Sequence, residues 1–452
     1  MRVWRAFRSW ILVLWFASSA VAADWRVGVA RSDITPTKLL WMAGYAARDH
    51  AAEGTLHPLW AKALAIEDAG RSRAVIVTLD LIGLNRDVCD AVARRAKELV
   101  GVPRERILFN SSHTHCGPVV STLTDLIYPV NAQQRADLAE YTAALEDKLV
   151  RVIQEACGNL RPANLAYGEG KATFGANRRT LREKPQVDAN KPVGPVDHTV
   201  PVLAVRDGEG RLIAALFGYA CHNTTLGIYQ YNGDYAGFAQ IALEKAHPGM
   251  TALFMIGCGA DVNPNPRREV ALAEQHGNSL AAAVDEVLKQ KLHPVRGRLA
   301  VAFSRIDLPF VDPPSKEELQ QRAQGKNVYH QRLARRLLDE LAQGRRLETS
   351  YPCPLQVVCL GRDFTLVGMS GEVVVDYMLR LRQEFPGERL WVASYCNEVF
   401  AYVPSERVLA EGGYEGGDAM VYFGWYGPFQ RGLEDRLVGE IKKLVTQCRQ
   451  EP

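Results

Sequence analysis

Short apolar runs of strand length alternate with helical periods along most of this chain, and that interleaving limits the fold more than any other feature. Residues 74–79 read as a buried strand and 107–109 as another, while Val88, Val92, Ala96 and Leu99 recur between them on one helical face. Leu138, Leu145, Leu149 and Val152 mark a longer helix after Pro129. Further strands are expected over 201–205, 212–219, 253–256, 355–360, 364–367 and 390–393, and further helices over 238–246, 272–288, 373–381 and 433–445. Such a rhythm predicts an α/β fold: a mixed, largely buried β-sheet flanked by helices, with an active site at the strand-end loops. No repeat or low-complexity linker interrupts it, and residues 23–452 are read as one catalytic domain. Only residues 315–346 depart, being dense in charge with a thin stripe of Leu333, Leu337, Leu338 and Leu341. They read as a solvated helical hairpin at the domain edge, with a lid or an oligomer contact as alternatives.

The first 22 residues are set aside from the fold. Arg2, Arg5 and Arg8 precede a short apolar core at 10–16, and Ala20-Val21-Ala22 offers a small-x-small cleavage site. This is the pattern of a signal peptide, too short to span a bilayer comfortably, so export to the periplasm or medium is expected. No later stretch reaches 18 apolar residues, so the mature protein is expected to be soluble. Cleavage removes three arginines and no acid, taking the formal charge from +3 to about zero. A near-neutral chain has no basic face for phosphates, and no nucleic-acid partner is expected. The nine cysteines contain no CxxC pair, which argues against a thiolate zinc site. Their odd number leaves at least one unpaired within the chain, and those inside apolar runs read as small buried hydrophobes.

Five strand-end loops carry residue types suited to chemistry. Ser111-Ser112-His113-Thr114-His115-Cys116-Gly117-Pro118 follows the strand ending near Phe109. In an extended chain His113 and His115 share a face, at the edge where ligand sites of open α/β sheets gather. His222 emerges in the same way from the 212–219 strand, and neutral imidazole is a common zinc ligand. Asp261, Asn263 and Asn265 stand in a loop opened by Gly257 and Gly259, and Glu372 follows Ser370-Gly371. Tyr402 and Tyr414 lie in the last of these loops, the latter among Gly412, Gly413, Gly416 and Gly417. Singly, each has a bland explanation as a capping, turn or first-turn residue; their joint placement is what a site built on a sheet edge requires.

These residues also resemble a known family. Val27-Gly28-Val29-Ala30-Arg31-Ser32-Asp33-Ile34-Thr35-Pro36, Met42-Ala43-Gly44-Tyr45 and the string from His113 to Pro118 are similar to the neutral (non-lysosomal) ceramidases, whose catalytic domain the chain resembles along nearly its whole mature length. The resemblance implies a zinc amidase of sphingolipid metabolism with a lipid-like substrate, and allows peripheral membrane contact. It implies one zinc per chain, held by His113, His222, Glu372 and Tyr402, the last five residues after Asn397 as in the family's pattern. It further implies that His115, Arg178 and Tyr414 surround the reacting carbonyl. No C-terminal Ig-like domain of that family is expected after the 433–445 helix. At Ala260-Asp261-Val262-Asn263-Pro264-Asn265 the chain departs from the family, because Asn263 replaces the serine regarded as catalytic.

An amide is no nucleophile, so the expected mechanism uses water activated by zinc. His115 is expected to exchange protons, Arg178, Tyr414 and Asn263 to donate to the oxyanion, and Asp261 to orient a histidine. Amide hydrolysis of an N-acyl substrate leads. A zinc hydrolase of esters or glycosides comes second, and a metal-free binding protein on the same scaffold third.

Overall fold

Along the strand Arg73–Leu79, Val75, Val77 and Leu79 pack to one side and Ala74 and Ile76 to the other, all buried. A strand dry on both faces needs a covering layer on each, and each fully buried valine, leucine or isoleucine stabilises that packing by about 1.5–3 kcal/mol. The computed structural model, which describes residues 24–120, 124–179 and 194–450, supplies both layers. The signal sequence read at 1–22 lies outside the described residues. Helices Arg86–Val100 and Ala132–Gly158 cover the first face, and a second sheet covers the other.

The first sheet runs in the order Thr251–Ile256, Leu212–Tyr219, Thr199–Asp207, Arg161–Lys171, Trp25–Asp33, Trp60–Asp68, Arg73–Leu79 and Ile107–Ser111, with His293–Val295 paired to Arg161–Lys171. Its interior pairs are antiparallel and both edge pairs are parallel. A parallel pair needs a crossover, supplied at one edge by Arg86–Val100 and at the other by Asp234–Ala246. The sheet curls until its edges meet. Ile256 N–H donates to Asn110 Oδ1 at 3.0 Å, and Asn110 Nδ2 donates on to Ser394 O at 2.7 Å. This closure brings together the loops that leave Ile107–Ser111 and Leu212–Tyr219.

The second sheet runs Leu299–Pro309, Ser350–Leu360, Phe364–Met369 and Leu390–Ala393. Val301, Val358, Leu366 and Trp391 face the first sheet, while Leu355, Val357 and Cys359 pack against helix Leu433–Gln450. A short parallel pair, Glu372–Val373 with Tyr402–Val403, sets Glu372 directly beside Tyr402. That strand delays the helix expected from residue 373, which begins at Asp376.

The charged segment forms helices Lys316–Ala323 and Val328–Ala342, started by a Ser315/Glu318 capping box and an Asn327 cap. Leu333 and Leu337 are buried beneath it. All nine cysteines are buried, and among the described residues none is joined in a disulfide. Among the described residues no helix is long and apolar enough to cross a membrane.

Candidate metal centre

The strand Ile107–Ser111 ends sooner than a period-two reading of His113 and His115 requires. His113 adopts φ 61°, a left-handed conformation uncommon for a residue with a side chain, and its N–H donates to Leu81 O at 2.9 Å. The chain therefore reverses at His113 instead of continuing extended. The two imidazoles still converge, Nε2 to Nε2 at 3.1 Å, through this turn and not through strand alternation. His222 arrives from the opposite edge of the curled sheet, and the ligand atoms of His113, His115 and His222 lie within 4.8 Å of one another.

The hydrogen bonds behind these rings separate their roles. His113 Nδ1 lies 2.6 Å from Ile82 O, and His222 Nδ1 lies 2.8 Å from Gly259 O. A carbonyl only accepts, so each Nδ1 carries the proton and each Nε2 turns a lone pair inward. Both lone pairs meet Glu372 Oε2, at 3.2 and 3.1 Å. Burial pushes the Glu372 carboxyl up, but His113 and His222 outweigh it and hold it well below the usual carboxylate range. His222 is pushed down to about 4, chiefly by burial and then by Arg178. Two imidazole nitrogens that converge on one oxygen of a buried carboxylate form a donor set suited to a divalent cation. Ligand separations on a tetrahedral zinc are roughly 3.4 Å, close to those found, so the residues fit the ion.

His115 differs. Its buried Nδ1 has no partner among the described residues, and burial, reinforced by His113 and His222, pushes its pKa well below the ordinary value. It is a neutral imidazole, and no carbonyl fixes its tautomer as it does for the other two rings of the cluster. Gly44, at φ +98°, backs this ring so closely that a Cβ there would lie 2.4 Å from His115 Cγ. Gly44→Ala is expected to displace the ring and lower kcat about tenfold, short of the roughly 10²–10⁴ that a general acid–base group supplies. Bound metal should not change. Steady-state kinetics with metal analysis checks both.

On the other side Arg178 makes a three-way junction. Its Nε donates to Glu415 Oε1 at 2.7 Å, Nη1 to Asn263 Oδ1 at 3.4 Å and Nη2 to the Tyr402 hydroxyl at 3.1 Å. Tyr414 stands edge-on to Tyr402, ring centroids 5.3 Å apart. The structure thus gathers His113, His115, His222, Glu372, Tyr402, Arg178 and Asn263 into one buried cluster, with the half-buried Tyr414 at its edge.

Asp261 is placed otherwise than expected. Its carboxylate accepts from Asn177 Nδ2 and Val375 N, both at 2.9 Å, while backbone carbonyls orient the two histidines. Asp261 braces the loops that carry Arg178 and Glu372, and among the described residues its carboxylate has no imidazole partner. A cavity of about 880 Å³ lies outside the Gly412–Gly417 turn, and none of these residues lines it.

Three contributors escaped the sequence reading. The Tyr395 hydroxyl donates to Glu372 Oε2 at 3.4 Å, and its ring lies 4.3 Å from that of His113. Tyr395 directly follows the strand Leu390–Ala393 and its Ser394, the same strand-end position that marked the other candidates. Thr224, two residues after His222, donates to Asn263 Oδ1 at 3.2 Å. Glu415 sits beside Tyr414 and has no spacing to betray it.

An α/β protein whose curled sheet closes three histidines around a buried carboxylate is, by fold and site, a candidate metalloprotein. Residues 25–297 match the model of the neutral/alkaline non-lysosomal ceramidase family, N-terminal part, and the chain belongs to that family. It is 26% identical over 266 residues to a neutral ceramidase of Pseudomonas aeruginosa, covering 56% of this chain and 39% of the relative. Neutral ceramidase A of Dictyostelium discoideum is 26% identical over 271 residues, covering 54% and 36%. The matches thus span less than two fifths of these relatives. A crystal structure of the Pseudomonas aeruginosa neutral ceramidase shares the fold, with a TM-score of 0.74 at 22% identity over 94% of this chain and 75% of that one.

Proposed function

We propose that this chain is an exported zinc-dependent hydrolase that cleaves the amide bond of an N-acyl, ceramide-like substrate. The observation that carries this reading is the convergence of two carbonyl-backed histidines on Glu372 Oε2, within a family whose matched relatives are named neutral ceramidases. His113, His222, Glu372 and Tyr402 would hold the ion. Zinc, when bound, supplies a Lewis acid that activates water and polarises a carbonyl. His115 takes the proton from the attacking water and passes it to the departing amine. Arg178 and Tyr414 donate to the carbonyl oxygen as it gains charge. Asn263 adds a third donor: Arg178 is donor-only, so the oxygen of the amide must face it, leaving Asn263 Nδ2 without a partner among the described residues.

Asn263 also favours a second reading. The family serine is absent, and a zinc hydrolase of esters or glycosides on the same scaffold has no need of it. Metal analysis of the purified protein, with turnover on N-acyl sphingosines, N-acyl amino acids, esters and glycosides, separates the two. About one zinc per chain with hydrolysis of the amides alone is expected. Turnover confined to esters or glycosides selects the second reading, and a metal-free inactive protein removes both. Intact mass of the exported product tests cleavage after Ala22, and a retained Met1 would refute it.

A further inference from the structure

We propose that Glu415 is a positioning residue for the reaction, fixing the plane of the Arg178 guanidinium so that its two terminal nitrogens stay aimed at Asn263 and Tyr402. The proposal rests on the reading above, in which Arg178 meets the reacting carbonyl. Glu415 itself would touch no reacting atom.

The geometry is that of a bracket. Glu415 is 2% exposed, and its two carboxylate oxygens are divided between neighbouring arginines: Oε1 accepts from Arg178 Nε at 2.7 Å and Oε2 from Arg179 Nη1 at 2.8 Å. Arg179 is held in turn by Glu411 Oε2 and Gly412 O, both at 3.0 Å. The backbone of the arginine pair is pinned as well, Arg178 N–H to Asp261 O at 2.8 Å and Arg179 N–H to Asn177 Oδ1 at 3.1 Å. A guanidinium is a rigid planar fork. Anchoring its Nε at 2.7 Å therefore sets the directions of Nη1 and Nη2 together, toward Asn263 Oδ1 at 3.4 Å and the Tyr402 hydroxyl at 3.1 Å.

The support beneath Glu415 is stiff. It stands on the turn Gly413–Gly416, and a Cβ on Gly416 would lie 2.7 Å from Val408 O. The turn is seated against helix Glu406–Glu411 with no room for a side chain between them. The same turn carries Tyr414, so one rigid element places an aromatic ring and the anchor of the arginine beside it.

A carboxylate that merely neutralises buried arginines predicts a different behaviour, and a double-mutant cycle distinguishes the two. Glu415→Gln is expected to lower kcat about 10–100-fold with KM within about twofold, as loss of orientation at a transition-state donor does. In an Arg178→Lys background the same substitution is expected to change kcat less than about twofold, because no oriented fork is left to lose. Glu415→Asp keeps the charge and is expected to recover part of the rate. Equal losses of kcat in both backgrounds would overturn the proposal.

A readout independent of turnover uses full mature protein labelled with ¹⁵N-arginine. The Arg178 Nε–H resonance, assigned by its disappearance in Arg178→Lys, should exchange slowly with solvent in the wild type and much faster in Glu415→Gln. Unchanged exchange overturns the positioning role. Should Glu415→Gln fail to fold, Glu415→Asp, whose shorter side chain cannot span both arginines, gives the same exchange test. If the wild type hydrolyses nothing on the panel, the functional reading falls while this measurement still decides the anchoring of Arg178.

Discussion

Replacing His222 with alanine is expected to strip zinc from the purified protein and take turnover below detection, and His113→Ala is expected to do the same. Each imidazole is committed twice, through Nδ1 to a backbone carbonyl and through Nε2 to the shared carboxylate. No other described nitrogen is equivalently prepared, because His115 lacks the carbonyl behind it. Removing an imidazole leaves Glu372 buried with half of its compensation, so affinity for the ion and for any replacement ligand falls together. Metal analysis after gel filtration, alongside kcat, reads the outcome. Full zinc occupancy in either variant would take that histidine out of the ligand set.

Asn263→Ala is expected to lower kcat by about 10²–10³, equivalent to ~3–4 kcal/mol, with zinc retained. Asn263 is paired through its strand to Ala176, so its backbone is fixed independently of the side chain. Truncation removes the Nδ2 donor and leaves Arg178 Nη1 and the Thr224 hydroxyl without their acceptor. Asn263→Ser should retain part of the rate, since a hydroxyl also donates, and its turnover of N-acyl sphingosine is the informative comparison. If Asn263 were only a structural residue before Pro264, Asn263→Ala would lower the melting temperature and spare kcat. Unchanged kcat would remove it from the mechanism.

Periodicity located the strands that are apolar throughout and the helices with a clean stripe. It passed over Trp60–Asp68, where alanines dilute the signal and Lys62 is buried by donating to Glu244 Oε1 and Ala252 O, both at 2.7 Å. It also passed over Arg161–Lys171, whose charged and small residues leave only a short apolar run, and Leu299–Pro309, where the apolar stretch 299–303 gives way to Ser304, Arg305 and Asp307. What local pattern cannot encode is the closure of one sheet edge on the other through Asn110, and that closure makes neighbours of His113 and His222. The candidate residues and their strand-end positions were legible because strand ends punctuate the sequence. The conformation at His113, the backbone partners of the two Nδ1 atoms and the bracing role of Asp261 were not, because each depends on groups far away in the chain.

The site is assembled across a seam. His113 and His222 leave strands of the first sheet, whereas Glu372 and Tyr402 follow strands of the second, which begins at Leu299, just beyond the family-matched residues 25–297. On the proposed ligand set, an ion bound by all four would make its affinity a property of how the two layers dock, and by linkage its binding free energy would reinforce that docking. The matched segment alone holds the three clustered histidines and lacks the Glu372 carboxylate that His113 and His222 meet. Exchange of the later half between relatives would then be constrained at the seam: a graft could carry its own outer surface freely, but on the proposed ligand set it would have to return one carboxylate and one phenol to the same register, or lose both the ion and the fit between the sheets.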